Sequence, residues 1–380
     1  MRSHLICTVG TSLFQGNLEK LDEKSPDKPD NWQEIKKAYT ANKWDQLAKE
    51  LLKVAPTSRV CGAEINTIHD LMMSRKFPIE HIHFLVSDTE DGKNTGQVLQ
   101  KYFTQYNNGI FKNKVDFESV ENLQDRDPKA FKIFGLRNLV RAIGSITQRV
   151  GMEQVVIDAT GGYKAQIAIA VLIGQVLNIP VVYKHERFSE IIEFPPLPVD
   201  FDYDLIGTYA GLLHYIDNKN HLLTSEELQI DEHDEKIRVF LEEVFDTSTQ
   251  QTMYALSPLG ELFLLGYQLR HPKAPNLRPA TEKERKHPSI RDDHYPTGFK
   301  EFVQKVWEEN KWIKTIRSRD YDKQKSIKGI GFNVWQIDEK YHLVGTYKQE
   351  FGARFELFLT DASKESLTWA AEYLTREYKD

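Results

Sequence analysis

The sequence predicts an α/β protein: a mostly parallel sheet covered by helices, then a winged-helix-like segment, then a small α+β domain. Three observations predict it. Short apolar, β-branched runs alternate with amphipathic helical stretches through the first half of the chain, the pattern of strands buried on both faces. Gly- or Ser-containing polar loops directly follow several of these runs. Past Phe194–Pro198 the prolines Pro195, Pro196 and Pro198 break the pattern, and its order changes.

The elements follow in chain order. Leu5–Val9 reads as the first strand and ends at Gly10-Thr11-Ser12. The polar stretch from Leu18 to about Ala55, with its Ser25–Asp30 breaker patch, reads as an insertion between that strand and its helix. A helix is expected over Ala63–Ser74, a strand over His81–Ser87, a helix over Gly92–Tyr106 and a short strand over Lys114–Glu118. Arg137–Val150 is amphipathic, and Gln154–Ile157 is the most buried-looking strand. Asp158–Lys164 makes a glycine turn into the apolar helix Ala165–Leu177, and Val181–Tyr183 closes the series. Boundaries are expected near residues 204, 270 and 298. They delimit an α/β domain (1–204), a winged-helix-like connector (205–270), a linker rich in Pro, Arg, Lys and His (271–298) and a last domain (299–380). In that domain a helix over Phe299–Trp312 and a basic loop precede strands at about Ile330–Gln336, Tyr341–Lys348 and Arg354–Thr360, and the helix Lys364–Tyr378 ends the chain.

Bulk numbers exclude more than they assign. With 40% hydrophobic and 28% charged residues and a net charge of −6, the chain has the composition of a globular protein. No apolar run reaches the length of a membrane span, and the cytoplasm is the expected location. Two cysteines, Cys7 and Cys61, offer neither a disulfide framework nor a cysteine-built zinc site. Between Lys311 and Lys328 seven basic residues face only Asp320 and Asp322.

Ligands of open parallel sheets sit beyond the carboxyl ends of the strands. Three loops there suit anions or nucleotide edges: Gly10-Thr11-Ser12; Ser87-Asp88-Thr89; and Thr160-Gly161-Gly162-Tyr163-Lys164, which joins bare backbone, a helix N-terminus and a cation. No Walker A or Gly-x-Gly-x-x-Gly motif is present, which argues against a triphosphatase or dinucleotide enzyme. His81 and His83 alternate on one strand without a third metal ligand in view, so packed or partly exposed histidines are expected there.

Cys7–Leu13, Asp158–Lys164 and Val182–Phe188 with Leu197-Pro198 resemble the motifs of CRISPR-associated Rossmann-like (CARF) domains over about residues 1–205. The resemblance implies a homodimer with one cyclic oligoadenylate, often the tetra-adenylate, across the two-fold axis. It implies a site lined by Gly10, Thr11, Ser12, Ser87, Asp88, Thr89, Thr160, Gly161, Gly162 and Lys164. The insertion after Ser12 departs from compact members.

The last domain, about residues 299–380, resembles the RelE family of ribosome-dependent mRNA interferases and the CARF–RelE fusions. That implies a metal-free attack of a ribose 2′-OH on its neighbouring phosphate, with ribosome and mRNA as partners and no cofactor beyond the activating cyclic oligoadenylate. Candidate catalytic residues are Arg317, Arg319, Lys325, Lys328, Lys348 and Arg354, with Tyr347 and Trp335 to stack on a base. Thr360–Lys364 departs from the family, which usually shows basic residues there. Two rival readings remain open: a metal-dependent nuclease acting on free RNA or DNA, and a ligand-responsive winged-helix transcription regulator. The second is disfavoured by the acidic run that includes Glu226, Glu227, Glu242 and Glu243, which would repel DNA phosphates.

Overall fold

The computed structural model describes residues 1–185, 190–219, 221–228, 235–322, 329–349 and 351–379. The chain divides into two compact units, Met1–Asp200 and Phe201–Asp380.

The first unit is built on a six-stranded sheet of β1 (His4–Thr8), β2 (His81–Ser87), β3 (Val115–Val120), β4 (Val155–Asp158), β5 (Val181–Tyr183) and β6 (Ile192–Phe194). Its order is β3-β2-β1-β4-β5-β6, with every pairing parallel except that of β6 with β5. Leu5, Ile6 and Cys7 on β1 and all of β4 are buried, as strands covered on both faces must be. The helices are α1 (Trp32–Thr40), α2 (Trp44–Leu51), α3 (Gly62–Ser74), α4 (Glu90–Gly109), the single turn α5 (Pro128–Ala130), α6 (Leu136–Val150) and α7 (Lys164–Val176). The insertion is part of the core. Ile35, Leu47 and Leu51 are fully buried, and Phe14 packs against Trp44 and Tyr39 with ring centroids 5.2 and 5.3 Å away. From β1 the chain builds outward through β2 and β3 on one side and through β4 and β5 on the other. The strand order therefore reverses between β1 and β4, where a doubly wound sheet opens a crevice beyond its carboxyl ends.

The second unit begins with α8 (Asp204–Asp217), followed by β7 (Leu223–Thr224), the short helices α9 (Ser225–Leu228) and α10 (Glu235–Arg238), and the hairpin β8 (Leu241–Asp246) and β9 (Gln251–Leu256). These strands form a sheet of order β7-β9-β8. Helix α11 (Pro258–Arg270) follows, capped by Ser257, whose hydroxyl accepts from the Gly260 N–H. The rest is α12 (Phe299–Glu309), β10 (Ile313–Asp322), β11 (Gly329–Ile337), β12 (Lys340–Lys348), β13 (Gly352–Leu359) and α13 (Lys364–Tyr378), with an antiparallel sheet of order β10-β13-β12-β11.

Three features of this unit differ from the sequence expectation. The basic stretch begins as strand β10, so Arg317 and Arg319 stand on a sheet and not in a loop. Register shifts against β13 near Thr315 and between Ser318 and Tyr321 disturb the two-residue alternation that would have revealed it. Helix α8, expected to open the connector, lies against β11: a Cβ on Gly211 would meet the Gly331 Cα at 3.3 Å, and the Gly211 N–H donates to Asn333 Oδ1 at 3.0 Å. Residues 271–298, expected as a linker, are fastened along β10. Ala280, Lys286 and Ser289 N–H groups donate to the carbonyls of Lys311, Lys314 and Ile316 at 2.8–2.9 Å. At the opposite edge, Thr375 Oγ1 accepts from the Phe332 N–H at 3.0 Å. Among the described residues no helix is long and apolar enough to cross a membrane.

Candidate functional site

At the reversal point the loops after β1 and β4 meet. The Thr8 hydroxyl donates to the Gly161 carbonyl at 2.6 Å, and the Gly10 N–H donates to Glu64 Oε1 at 3.0 Å. They touch through their backbones: a Cβ on Gly10 would lie 2.9 Å from the Gly162 nitrogen, and one on Gly161 would lie 2.9 Å from both Gly10 N and Thr8 O. Gly162 has φ +103°, a conformation that side chains oppose. The Thr160 N–H and hydroxyl both donate to Asp158 Oδ1, at 3.0 and 2.6 Å, and Thr160 Oγ1 accepts from the Lys184 N–H at 3.0 Å.

A cavity of about 480 Å³ opens above these loops, lined by Gly10, Thr11, Ser12, Ser87, Thr160, Gly161 and Gly162 together with Tyr163, Tyr183 and Lys184. A neighbouring cavity of about 970 Å³ shares Ser12, Thr160 and Lys184 and extends past Arg59 and Asn66. Seven of the ten expected ligand residues thus line one crevice. The other three stand apart. Asp88 accepts from the Asn122 N–H and pairs with Lys93 at 2.8 Å, and Thr89 caps α4, so both fix the turn after β2. Lys164 opens α7 as an exposed residue outside the lining. The lysines that line the crevice are Lys20 and Lys184, the latter paired with Asp70.

Beneath the loops lie two buried carboxyls. Burial pushes Glu64 up, against the opposing hydrogen bond from Gly10. Burial also pushes Asp158 up to about 7, against its hydrogen bonds from Thr160. The folded protein therefore holds a proton on Asp158 that the unfolded chain releases near pH ~4. Its contribution is full at low pH, and stability falls as pH rises from about 4 to about 7. Asp158→Asn is expected to flatten that decline in urea titrations run across this range; an unchanged slope would clear Asp158 of the effect.

A second cluster stands on the sheet of the second unit. His342 Nδ1 lies 2.6 Å from Glu356 Oε1, and Arg319 Nη1 lies 3.3 Å from Glu356 Oε2. The guanidinium carbons of Arg354 and Arg319 lie 4.9 and 5.8 Å from the centre of the Trp335 ring. Arg354 also pairs with Asp320 at 3.3 Å, and Arg317 sits over Phe358 at 4.8 Å. Arg317, Arg319, Arg354 and Trp335 thus come together around a His–Glu pair that is part-buried yet solvent-reachable. Two of the expected residues do not join them. Tyr347 is buried, with its hydroxyl donating to the Thr297 carbonyl at 3.0 Å, and Lys348 lines a separate cavity. Lys325 and Lys328 lie outside the described residues, as do Arg187 and Phe188 of the expected hairpin.

Residues 59–197, from the approach to α3 through β6, match the family model described as CRISPR-associated protein (Cas_APE2256). The likeness is to a CRISPR-associated protein and covers less than half of the chain. This match takes in the Asp158–Lys164 loop and leaves out Gly10–Ser12. It points to a role in CRISPR defence. No curated protein matches the chain.

His342 and Glu356 were not singled out in the sequence. Their signal was a register: Glu356 pairs with Val344 across β12 and β13, which sets it diagonal to His342, and this needs the strand pairing to be known. His83 is buried and His81 is part-buried. His83 Nδ1 meets Asp116 at 2.9 Å, and His81 stacks on His4 with centroids 4.4 Å apart. Among the described residues no three His, Cys, Asp or Glu side chains gather to hold a metal ion.

Proposed function

We propose that the chain is a cyclic-oligoadenylate-controlled endoribonuclease of CRISPR defence. The first unit binds the ring in its crevice as a homodimer, and the second cleaves mRNA at the ribosome. The observation that carries the catalytic half is the His342–Glu356 pair flanked by Arg319 and Arg354. In this reading Glu356 accepts from His342 Nδ1–H, which leaves Nε2 to take the proton of a ribose 2′-OH. The 2′-oxygen attacks phosphorus and the bond to the 5′-oxygen breaks, with water supplying that oxygen's proton. The products are a 2′,3′-cyclic phosphate and a 5′-hydroxyl. Arg319, Arg354 and Arg317 neutralise the charge that develops on the phosphate, and Trp335 offers a face to a base.

The sequence α12, four antiparallel strands, α13 supports the RelE-like reading of the last domain. The order α8, β7, two short helices and a hairpin whose strands pair as β7-β9-β8 supports a winged-helix-like module. Occupation of the crevice releases the second unit only if the ring binds the active state more tightly than the resting one.

The test is an RNA-cleavage assay with cyclic tetra-adenylate, with and without translating ribosomes, and with EDTA in the ribosome-free arms. Cutting that needs both ring and ribosomes is expected. EDTA-sensitive cutting of free RNA or DNA would overturn the mechanism and leave the sensor standing.

A further inference from the structure

A cavity of about 540 Å³ in the second unit is lined by His214, Tyr215 and Lys219 from α8 and its end, Gly329 and Lys348 from β11 and β12, and Lys379 after α13. Three lysines thus share the lining with one aromatic residue, and Lys219 Nζ lies 5.0 Å from the centre of the Tyr215 ring. Asp217 lies 3.9 Å from Lys379 Nζ.

The floor is a built polar site. His214 is 1% exposed, and its Nε2 lies 3.3 Å from Glu372 Oε1. Burial alone would raise the Glu372 carboxyl, but His214, Arg376 and Gln268 together bring it below the usual carboxylate range. An ionised Glu372 fixes the imidazole with Nε2–H toward itself, and Nδ1 of this buried ring has no hydrogen-bond partner.

The cavity also continues the arginine face. On β12, Thr346 pairs with Arg354, and Lys348 follows two residues later, roughly 7 Å along the strand. Strand alternation puts Lys348 on the same side of β12 as His342.

We propose that this cavity is a second grip for single-stranded RNA. It holds a backbone phosphate among Lys219, Lys348 and Lys379 and offers Tyr215 to an adjacent base. The proposal rests on the RNA-cleaving reading of the same unit, and it assigns Lys348 to holding the strand, away from the reacting bond.

The test uses the full chain and a fluorescent 2′-O-methyl RNA decamer, which binds but cannot be cut because its 2′-oxygens are blocked. Lys219→Ala/Lys348→Ala is expected to weaken binding at least ~10-fold and to make the salt dependence shallower by about one in log–log slope, whereas Lys219→Arg/Lys348→Arg restores both. Unchanged affinity and slope in the alanine variant would overturn the proposal. So would a variant that loses ATP binding while holding the decamer as well as wild type, because the cavity would then be a free-nucleotide pocket. His342→Ala separates the two readings. If it cuts mRNA normally while the lysine variant loses the decamer, the chemistry assigned to His342 falls and the grip stands.

Discussion

His342→Ala is expected to lower ring-activated mRNA cleavage by about 10²–10⁴-fold, the usual effect of removing a positioned general base. The side chain to be lost has one nitrogen 2.6 Å from Glu356, and that carboxylate is also 3.3 Å from Arg319. The substitution therefore removes the proton acceptor and loosens an arginine at the same time. Glu356→Gln should show a smaller loss, because an amide still contacts the ring but no longer favours the charged imidazolium that forms when Nε2 takes its proton. Single-turnover cleavage with saturating ligand and ribosomes is the measurement, with cyclic tetra-adenylate affinity followed alongside. The affinity should not move, since His342 lies in the second unit and the crevice in the first. Cleavage within threefold of wild type in His342→Ala would remove this residue from the mechanism.

Gly161→Ala should abolish ring binding, by 100-fold or more in titration calorimetry, although it adds one methyl group. That methyl would enter the space where the two loops meet, 2.9 Å from Gly10 N and from Thr8 O and against the Glu64 carboxylate. Two of those three neighbours are backbone, so relief requires the β1 and β4 loops to separate. Separation breaks the Thr8–Gly161 hydrogen bond and displaces the Gly10 and Thr160 ends of the crevice. The cost should also appear as a lower melting temperature, since forcing extra volume into a close-packed site costs about 1–3 kcal/mol. A folded variant that binds the ring like wild type would show that the loop contact does not shape the site.

What could be read in advance followed from local rules. The α/β half was legible because alternating apolar runs and glycine turns are short-range signals. His81–Ser87 and Val181–Tyr183 were placed to the residue. The crevice was legible for the same reason, since strand ends imply where ligands sit. What sequence missed depended on partners distant in the chain. Lys184 enters the crevice because β5 lies beside β4, whereas Lys164, next to the glycines in sequence, is exposed and outside the cavity lining. Tyr347 reads as a stacking ring until the register places it against Phe302, with centroids 5.1 Å apart. The Thr360–Lys364 departure also gains a local account. Asp361 and Ser363 start α13, with the Ser363 hydroxyl accepting from the Ser366 N–H, so these residues serve a helix cap.

The strap of residues 271–298 and the threonine at Phe332 have a consequence for how the molecule behaves among its neighbours. A four-stranded antiparallel sheet has two open margins, and each is an invitation for a strand of another molecule to add on. Here the strap occupies the β10 margin, and Thr375 takes up backbone groups on the β11 margin. Both margins of this sheet are therefore obstructed, and edge-to-edge strand addition between copies of the chain is disfavoured.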